Sequence, residues 1–304
     1  MKIALILAGN IWYSPYVKIY SNILEERGID YDLISWNRDG RDPKIGYQYN
    51  IKVSNVNSSF EKAKYYLQYV SFIKGIIKKN NYDKIIIFNS QIAIPLTNFL
   101  VRNYKQRYIF DFRDLSIEQK YIFKPIFTKL LKNSFANVIS SPGFIKYLPK
   151  NITYLISHNF DYKLVVGSLG KQCENNYDQV IKILTIGGIR DYESNKELIG
   201  ALSNNLDFEL SFVGKGEASD LIENYVEKEQ IDNVKIVGYY DKMEEGGYVE
   251  DCTFVNIYWR YPSALSNRFY NALIYKKPMI VQVNSVQGEY VDKYKLGISI
   301  DNCL

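Results

Sequence analysis

Short apolar runs alternate with longer segments of helical period along the whole chain, and that alternation predicts parallel sheets joined by crossover helices. In the first half the runs fall at Lys2 to Ala8, Tyr31 to Ser35, Lys84 to Phe88, Tyr108 to Phe112, Val138 to Ser140 and Tyr154 to Ile156. Between them the pattern predicts a helix opened by Ser14-Pro15 and ended at Arg27-Gly28, where an N-cap and N1 proline meet a terminating glycine. It predicts a second over Phe60 to Lys79 and a third over Ile117 to Phe135, kinked or split at Pro125. In the second half, strands are expected at 181–186, 208–213, 234–237, 254–258 and 279–282. Helices are expected at 194–202, 217–229, 241–249 and 264–275. The fold class expected is therefore α/β, with two Rossmann-like doubly wound sheets. The weakly periodic Tyr162 to Gln179 places the boundary between domains 1–160 and 161–304. The run Leu296 to Asp301 reads as the start of a further strand, so a closing helical segment beyond Leu304 is expected.

At 304 residues and 47% hydrophobic, the chain is long enough for two cores. Three cysteines without a CxxC pair support neither a disulfide framework nor a zinc knuckle, which fits a reducing cytosol. The single histidine, His158, excludes a multi-histidine metal site, and no metal is expected. The apolar run after Lys2 breaks at Gly9, too short for a signal or a membrane span.

Charge divides the chain more sharply than hydropathy does. Residues 1–160 carry 23 Lys and Arg against 11 acids, a net +12, while the remainder carries 15 against 22, a net −7. No acid occurs between Gln119 and Phe160, where Lys120, Lys124, Lys129 and Lys132 stand among Tyr121, Ile122, Phe123 and Phe127. Such a stretch suits an anionic membrane surface. The acidic second half argues against one continuous nucleic-acid footprint, so no nucleic-acid partner is expected.

In open parallel sheets ligands bind outside the carboxyl ends of strands, which directs attention to the residues just after each run. Gly9-Asn10 follows the first run without a full GxGxxG, so a nicotinamide cofactor is not supported. Gly187-Gly188-Ile189-Arg190, followed by Lys196 at a helix start, offers close backbone approach, helix N–H groups and positive charge to a diphosphate. Gly214-Lys215-Gly216 is a second glycine loop that lacks the Walker spacing. Asp111, Arg113 and Asp114 follow the Tyr108 run, where a carboxylate could deprotonate an acceptor hydroxyl and an arginine could bind phosphate or pair with an aspartate.

The segment from Tyr258-Trp259-Arg260 through Ser266-Asn267-Arg268 and Asn271-Ala272-Leu273 to Lys277-Pro278-Met279-Ile280-Val281 resembles the nucleotide-sugar-binding segment of GT-B glycosyltransferases, particularly those similar to family four. Asp111-Phe112-Arg113-Asp114, Ser157-His158-Asn159 and Ile186-Gly187-Gly188 stand in matching order. The resemblance implies two Rossmann-like domains facing a cleft, a retaining hexosyl transfer without metal or resident cofactor, and a UDP- or GDP-sugar as donor substrate. It implies donor contacts at Gly187, Gly188, Arg190, Lys196, Gly214, Lys215, Gly216, Arg260, Ser266, Asn267, Arg268 and Asn271. Catalysis would fall to Asp111, Arg113 and Asp114, with Gly9, Asn10 and His158 on the acceptor side. The acceptor implied is a lipid-linked oligosaccharide or other saccharide in surface polysaccharide synthesis, and the place is the inner face of the plasma membrane. The chain departs from the family where acids are usual, carrying Ser263 and Asn271 instead. An inactive GT-B-like partner subunit is the alternative that these departures leave open.

Overall fold

The computed structural model describes residues 1–11, 14–53, 59–160, 165–167, 180–241, 243–259 and 261–301. It divides into two compact units, Met1–Asp161 and Tyr162–Leu304.

The first unit is built on a seven-stranded sheet of order β3-β2-β1-β4-β5-β6-β7. Its strands are β1 (Lys2–Ile6), β2 (Asp30–Trp36), β3 (Tyr47–Tyr49), β4 (Lys84–Phe88), β5 (Tyr108–Phe112), β6 (Ala136–Ile139) and β7 (Leu155–Ile156). Every pairing is parallel. Its helices are α1 (Val17–Glu26), α2 (Ser59–Asn80), α3 (Ser90–Tyr104) and α4 (Lys124–Asn133). The apolar runs become strands because parallel strands are covered on both faces and tolerate no polar alternation. Ile3, Leu5, Leu7, Leu33, Ile86 and Phe88 pack with Val17 and Leu24 of α1. Each such side chain contributes about 1.5–3 kcal/mol when fully buried.

Two expectations need correction here, and two elements have no counterpart in the sequence reading. Ser14 does not cap α1 with its side chain, because its Oγ turns back to donate to the Asn10 carbonyl at 3.0 Å, and the helix proper starts at Val17. The helix expected over 117–135 is divided into two 3₁₀ turns, Ile117–Gln119 and Tyr121–Phe123, before α4 begins, and Pro125 sits in the first turn of α4, where its missing N–H costs nothing. Helix α3, unforeseen, contains Pro95 and is buried along most of its length at Ile92, Ala93, Ile94, Leu96, Thr97, Leu100 and Tyr104. The short edge strand β3 was also unforeseen.

The second unit has a six-stranded sheet of order β10-β9-β8-β11-β12-β13. Its strands are β8 (Ile181–Ile186), β9 (Phe208–Val213), β10 (Val234–Gly238), β11 (Phe254–Ile257), β12 (Met279–Gln282) and β13 (Gly297–Ile300), all parallel. The helices are α5 (Tyr192–Leu202), α6 (Ser219–Lys228), α7 (Glu245–Asp251), α8 (Asn267–Ile274) and α9 (Val286–Tyr294). Leu198 and Ile199 of α5 and Ile222 of α6 close one face over Ile183, Leu210, Phe212 and Ile280. In both units the order runs outward in two directions from a central pair, β1/β4 and β8/β11. These are topological switch points, where the connections diverge to opposite faces and leave a crevice at the carboxyl ends.

Candidate functional site

At the second unit's switch point a buried polar link crosses the sheet. Asn256 Nδ2 of β11 donates to Thr185 Oγ1 of β8 at 2.8 Å and to Asn195 Oδ1 of α5 at 3.3 Å. Asn256 Oδ1 accepts from the Tyr258 amide at 2.9 Å, which shapes the exit from β11. In that crevice lies the guanidinium of Arg268, carried by the first turn of α8. Its Nε donates to the Ile186 carbonyl at 2.5 Å, Nη2 to the Gly188 carbonyl at 2.7 Å and Nη1 to the Asn256 carbonyl at 3.5 Å. Neutral carbonyls take these three donors, and Arg268 has no carboxylate partner among the described residues. Desolvation lowers its pKa to about 10, with Arg190 adding like-charge repulsion, so it stays a cation at neutral pH. Arg190 is exposed beside Gly188 and has no ion pair among the described residues. Two cations thus converge on the loop after β8 without a neutralising acid among the described residues.

The two glycine loops hold each other. Gly214 has φ +126°, and a Cβ there would lie 2.1 Å from the Gly187 carbonyl oxygen; one on Gly216 would lie 2.2 Å from the Ile189 oxygen. For Gly214, Lys215 and Gly216, expected at the donor, the structure shows a packing role. These glycines let the loop after β9 press against the loop after β8, while Lys215 Nζ is taken by Asp220 and Glu223 at 3.4 and 3.6 Å. The main chain of Gly187 is held, its amide donating to the Val213 carbonyl at 2.8 Å and its carbonyl facing Gly214, but the space beside its Cα is open: a Cβ at Gly187 would meet nothing within 4 Å and one at Gly188 only the Arg190 side chain.

Two of the helix-start donors expected at α5, the Ser194 and Asn195 amides, are taken by Asp191. Asp191 caps the helix, accepting from the Ser194 amide at 3.1 Å and its Oγ at 2.8 Å. Lys196 stands over the rings of Tyr192 and Tyr225, at 5.8 and 5.2 Å, in the seam between α5 and α6 rather than beside Arg190. Ser266 caps α8, its Oγ accepting from the Phe269 amide at 3.3 Å and donating to Gln287 Oε1 at 3.0 Å. Asn267 is exposed at the first position of α8. Asn271 Nδ2 donates to Glu245 Oε1 at 2.8 Å, and Tyr240 donates its hydroxyl proton to Glu245 Oε2 at 2.7 Å. A carboxylate thus stands beside Asn271, supplied by α7, which spacing along the sequence gave no means of seeing. Arg260 lies outside the described residues.

In the first unit a cavity of about 630 Å³ opens at the carboxyl ends of β1, β2, β4 and β5. Gly9, Asn10, Tyr16, Trp36, Arg38, Tyr66, Asn89 and Asp114 are in its wall. Asn10 is buried and ties two loops together, donating to Asp39 Oδ1 at 2.7 Å and accepting from the Arg38 amide at 3.3 Å. Arg38 stacks on Trp36 and Tyr66 at 4.4 and 5.1 Å, and its Nη2 donates to the Tyr66 hydroxyl at 2.8 Å and to the Ala8 carbonyl. Asp114 is exposed.

Asp111 and Arg113 are a correction. Their side chains are 0% and 3% exposed and closed on each other, with Arg113 Nη2 2.5 Å from Asp111 Oδ2. Tyr20 donates to the same oxygen, and Arg113 Nη1 holds the Ser157 carbonyl at 3.2 Å. Burial raises the Asp111 carboxyl above its ordinary range, against the pull of Arg113. This is a sealed structural pair, and of the three residues expected to carry catalysis only Asp114 reaches the cavity. His158 is half-buried, and burial holds its imidazole below the usual value.

Lys120, Lys124, Lys129 and Lys132 are exposed, as are Tyr121 at 85% and Ile122 at 73%. No described helix is long and apolar enough to cross a membrane, and the described residues contain no cluster of metal-ligating side chains.

No protein-family model and no curated protein matches this sequence. Solved structures do match its fold. A sucrose-phosphate synthase from Thermosynechococcus elongatus aligns with a TM-score of 0.75 at 15% identity, over 99% of this chain and 86% of that one. WaaG, a glycosyltransferase involved in lipopolysaccharide biosynthesis, aligns at 0.65 and 13%, over 98% and 86%. HepE of Anabaena in complex with UDP-glucose aligns at 0.64 and 13%, over 96% and 83%. What this chain shares with them is the fold, and that fold, two Rossmann-like parallel-sheet domains, is the GT-B architecture.

Proposed function

We propose that the chain is a glycosyltransferase that moves a sugar from a nucleoside diphosphate sugar, UDP- or GDP-linked, to an acceptor, a lipid-linked oligosaccharide in surface polysaccharide synthesis. The observation that carries this reading is the pair of unneutralised cations, Arg268 and Arg190, at the β8/β11 switch point beside the open Gly187-Gly188 turn. A solved structure of the same fold was determined with UDP-glucose, which supports a donor of this class.

The chemistry follows from charge. Cleaving the sugar–phosphate bond leaves negative charge on the departing diphosphate. A guanidinium has five N–H donors, and Arg268 places three of them on carbonyls, so the others and its field act on an oxyanion. Arg190 and the amide of the exposed Gly188 add to it. Fixed donors in a partly desolvated crevice stabilise such charge without reorganising, which is the largest common source of transition-state stabilisation. In the first unit Asp114 takes the proton of the acceptor hydroxyl, while Trp36 and Tyr66 offer ring faces to a sugar. The surface of Lys120, Lys124, Lys129 and Lys132, with Tyr121 and Ile122, rests on anionic lipid at the cytoplasmic face.

Calorimetric titration of UDP, GDP and CMP into the protein in the presence of chelator tests the donor site, its base preference and its independence of metal together. Saturable binding of one nucleotide supports the reading. Absence of binding by all three overturns it in favour of an inactive GT-B-like subunit. Transfer assays with the matching sugar nucleotide then read retention from the anomer formed.

A further inference from the structure

A second basic feature of the first unit lies at the other end of its sheet. The C-terminal parts of α2 and α3 and the middle of α4 enclose a groove of about 790 Å³. These helices run down to the amino ends of β4, β5 and β6, so the groove lies opposite the cavity that contains Asp114. Its charged lining is Lys74, Lys78, Arg102 and Lys129, with no acid, over Ile77 and Phe99. Lys74, Lys78 and Arg102 have no ion-pair partner among the described residues, and Lys129 is bonded only to Asn98 Oδ1, at 2.9 Å. Lys78 and Arg102 occupy last helical turns, where a cation complements the helix dipole. Lys74 and Lys129 do not, and no rule of helix formation brings four cations from three helices to one groove. At the same end of the sheet Phe135, between α4 and β6, is 62% exposed, with the Lys84 ammonium 5.2 Å from its ring. An apolar ring capped by a cation is the arrangement that suits a lipid–water boundary.

We infer that the α2–α3–α4 groove is a binding site for the phosphate headgroup of an anionic phospholipid, held by Lys74, Lys78, Arg102 and Lys129. The inference rests on the proposed membrane-facing role of the first unit and gives that role a defined site. Like charges that lack acids of their own are satisfied by an external polyanion, and the exposed Phe135 beside Lys84 selects a lipid surface over a dissolved one.

The test compares the full chain with two variants of equal charge change, Lys74→Gln/Lys78→Gln/Arg102→Gln and Lys120→Gln/Lys124→Gln/Lys132→Gln, by sedimentation with phosphatidylglycerol/phosphatidylcholine vesicles. Each cation near an anionic surface is worth about a fivefold change in partition. The groove variant is therefore expected to bind about a hundredfold more weakly, and the Lys120 variant, whose exposed lysines meet the lipid only as separate surface charges screened by salt, to lose about tenfold or less. Equal losses mean that net charge alone acts and overturn the site. Vesicle binding by the groove variant at the native level, with loss only in the Lys120 variant, overturns the groove while the membrane reading stands. Failure of the native chain to bind vesicles overturns both. Titration of inorganic pyrophosphate separates the remaining source: if the groove variant loses pyrophosphate binding but keeps vesicle binding, the groove serves a soluble polyanion and the lipid assignment falls. Circular dichroism melts of each variant report folding, which substitutions at these positions, all exposed except the half-buried Lys74, are expected to leave intact.

Discussion

Arg268 Nη2 donates to the Gly188 carbonyl at 2.7 Å, so a cation carried by α8 is fixed under the loop that leaves β8. Arg268→Ala is expected to weaken UDP or GDP binding at least tenfold by calorimetry. It also leaves three carbonyls without their donor, at a net cost of about 1–3 kcal/mol in stability. Arg268→Lys keeps the charge but not the fork, and an intermediate affinity is expected. Native affinity in both variants would remove Arg268 from the site. Titration supplies a second readout. Folding lowers Arg268 from the ordinary guanidinium value to about 10, so the folded state holds this proton less tightly than the unfolded chain does. In the absence of ligand this residue's contribution to stability rises between those values, while nucleotide binding falls as pH rises through about 10.

Arg190 offers a cleaner separation of binding from folding. It is exposed, and no hydrogen bond within the described residues depends on it. Arg190→Ala is therefore expected to weaken nucleotide diphosphate binding about tenfold with the melting temperature unchanged, since charge-assisted hydrogen bonds are worth about 1.5–3 kcal/mol. A silent substitution would assign diphosphate recognition to Arg268 and Gly188 alone.

The strands were legible because a parallel sheet covered on both faces demands uninterrupted apolar runs, as in Lys84–Phe88 and Ile181–Ile186, and loops leave them as prominent signals. Helix α3 was illegible for the complementary reason. Ile92-Ala93-Ile94-Pro95-Leu96 is apolar all round and contains a proline, so neither periodicity nor breaker rules assign it to a helix that is in fact buried. At the candidate site, the pattern singled out Arg190 and Arg268, which the structure places near each other, through residue type after a strand and at a helix start. It misread Asp111-Phe112-Arg113 because an i, i+2 pair on a strand places both side chains on the same face, and sequence does not say whether that face is open. The Thr185–Asn195–Asn256 link and the Glu245 carboxylate beside Asn271 join distant segments, and local spacing has no access to them.

The glycine loops make a prediction about stability that is independent of ligand. At Gly214 a side chain is opposed both by a φ of +126° and by the Gly187 oxygen, and at Gly216 by the Ile189 backbone. Both obstacles are main chain and cannot swing aside. Gly214→Ala and Gly216→Ala are each expected to cost at least about 2 kcal/mol by denaturant unfolding, the range of strained backbone and overpacking combined. Gly187→Ala faces φ +92° with open space around it, so its cost is conformational alone, about 1–2 kcal/mol. Equal costs at all three positions would show that the two loops do not press on each other as described.

Asp111 and Asp114 stand three positions apart, yet the same isosteric change should act on different properties. Asp111→Asn removes the counter-charge from a guanidinium that is 3% exposed, and breaking a buried pair on one side costs about 3–5 kcal/mol. Its loss of activity is expected to follow its loss of folded protein, with a melting temperature many degrees lower. Asp114→Asn changes an exposed carboxyl at the cavity wall, so the fold should be intact while transfer falls about 10²- to 10⁴-fold, the usual contribution of a positioned base. Donor binding should be unaffected, because no donor contact is assigned to Asp114. Measuring kcat, donor affinity and melting temperature for both variants decides the assignment. A stable, inactive Asp111→Asn with a fully active Asp114→Asn would return the catalytic role to Asp111 and contradict the sealed pair.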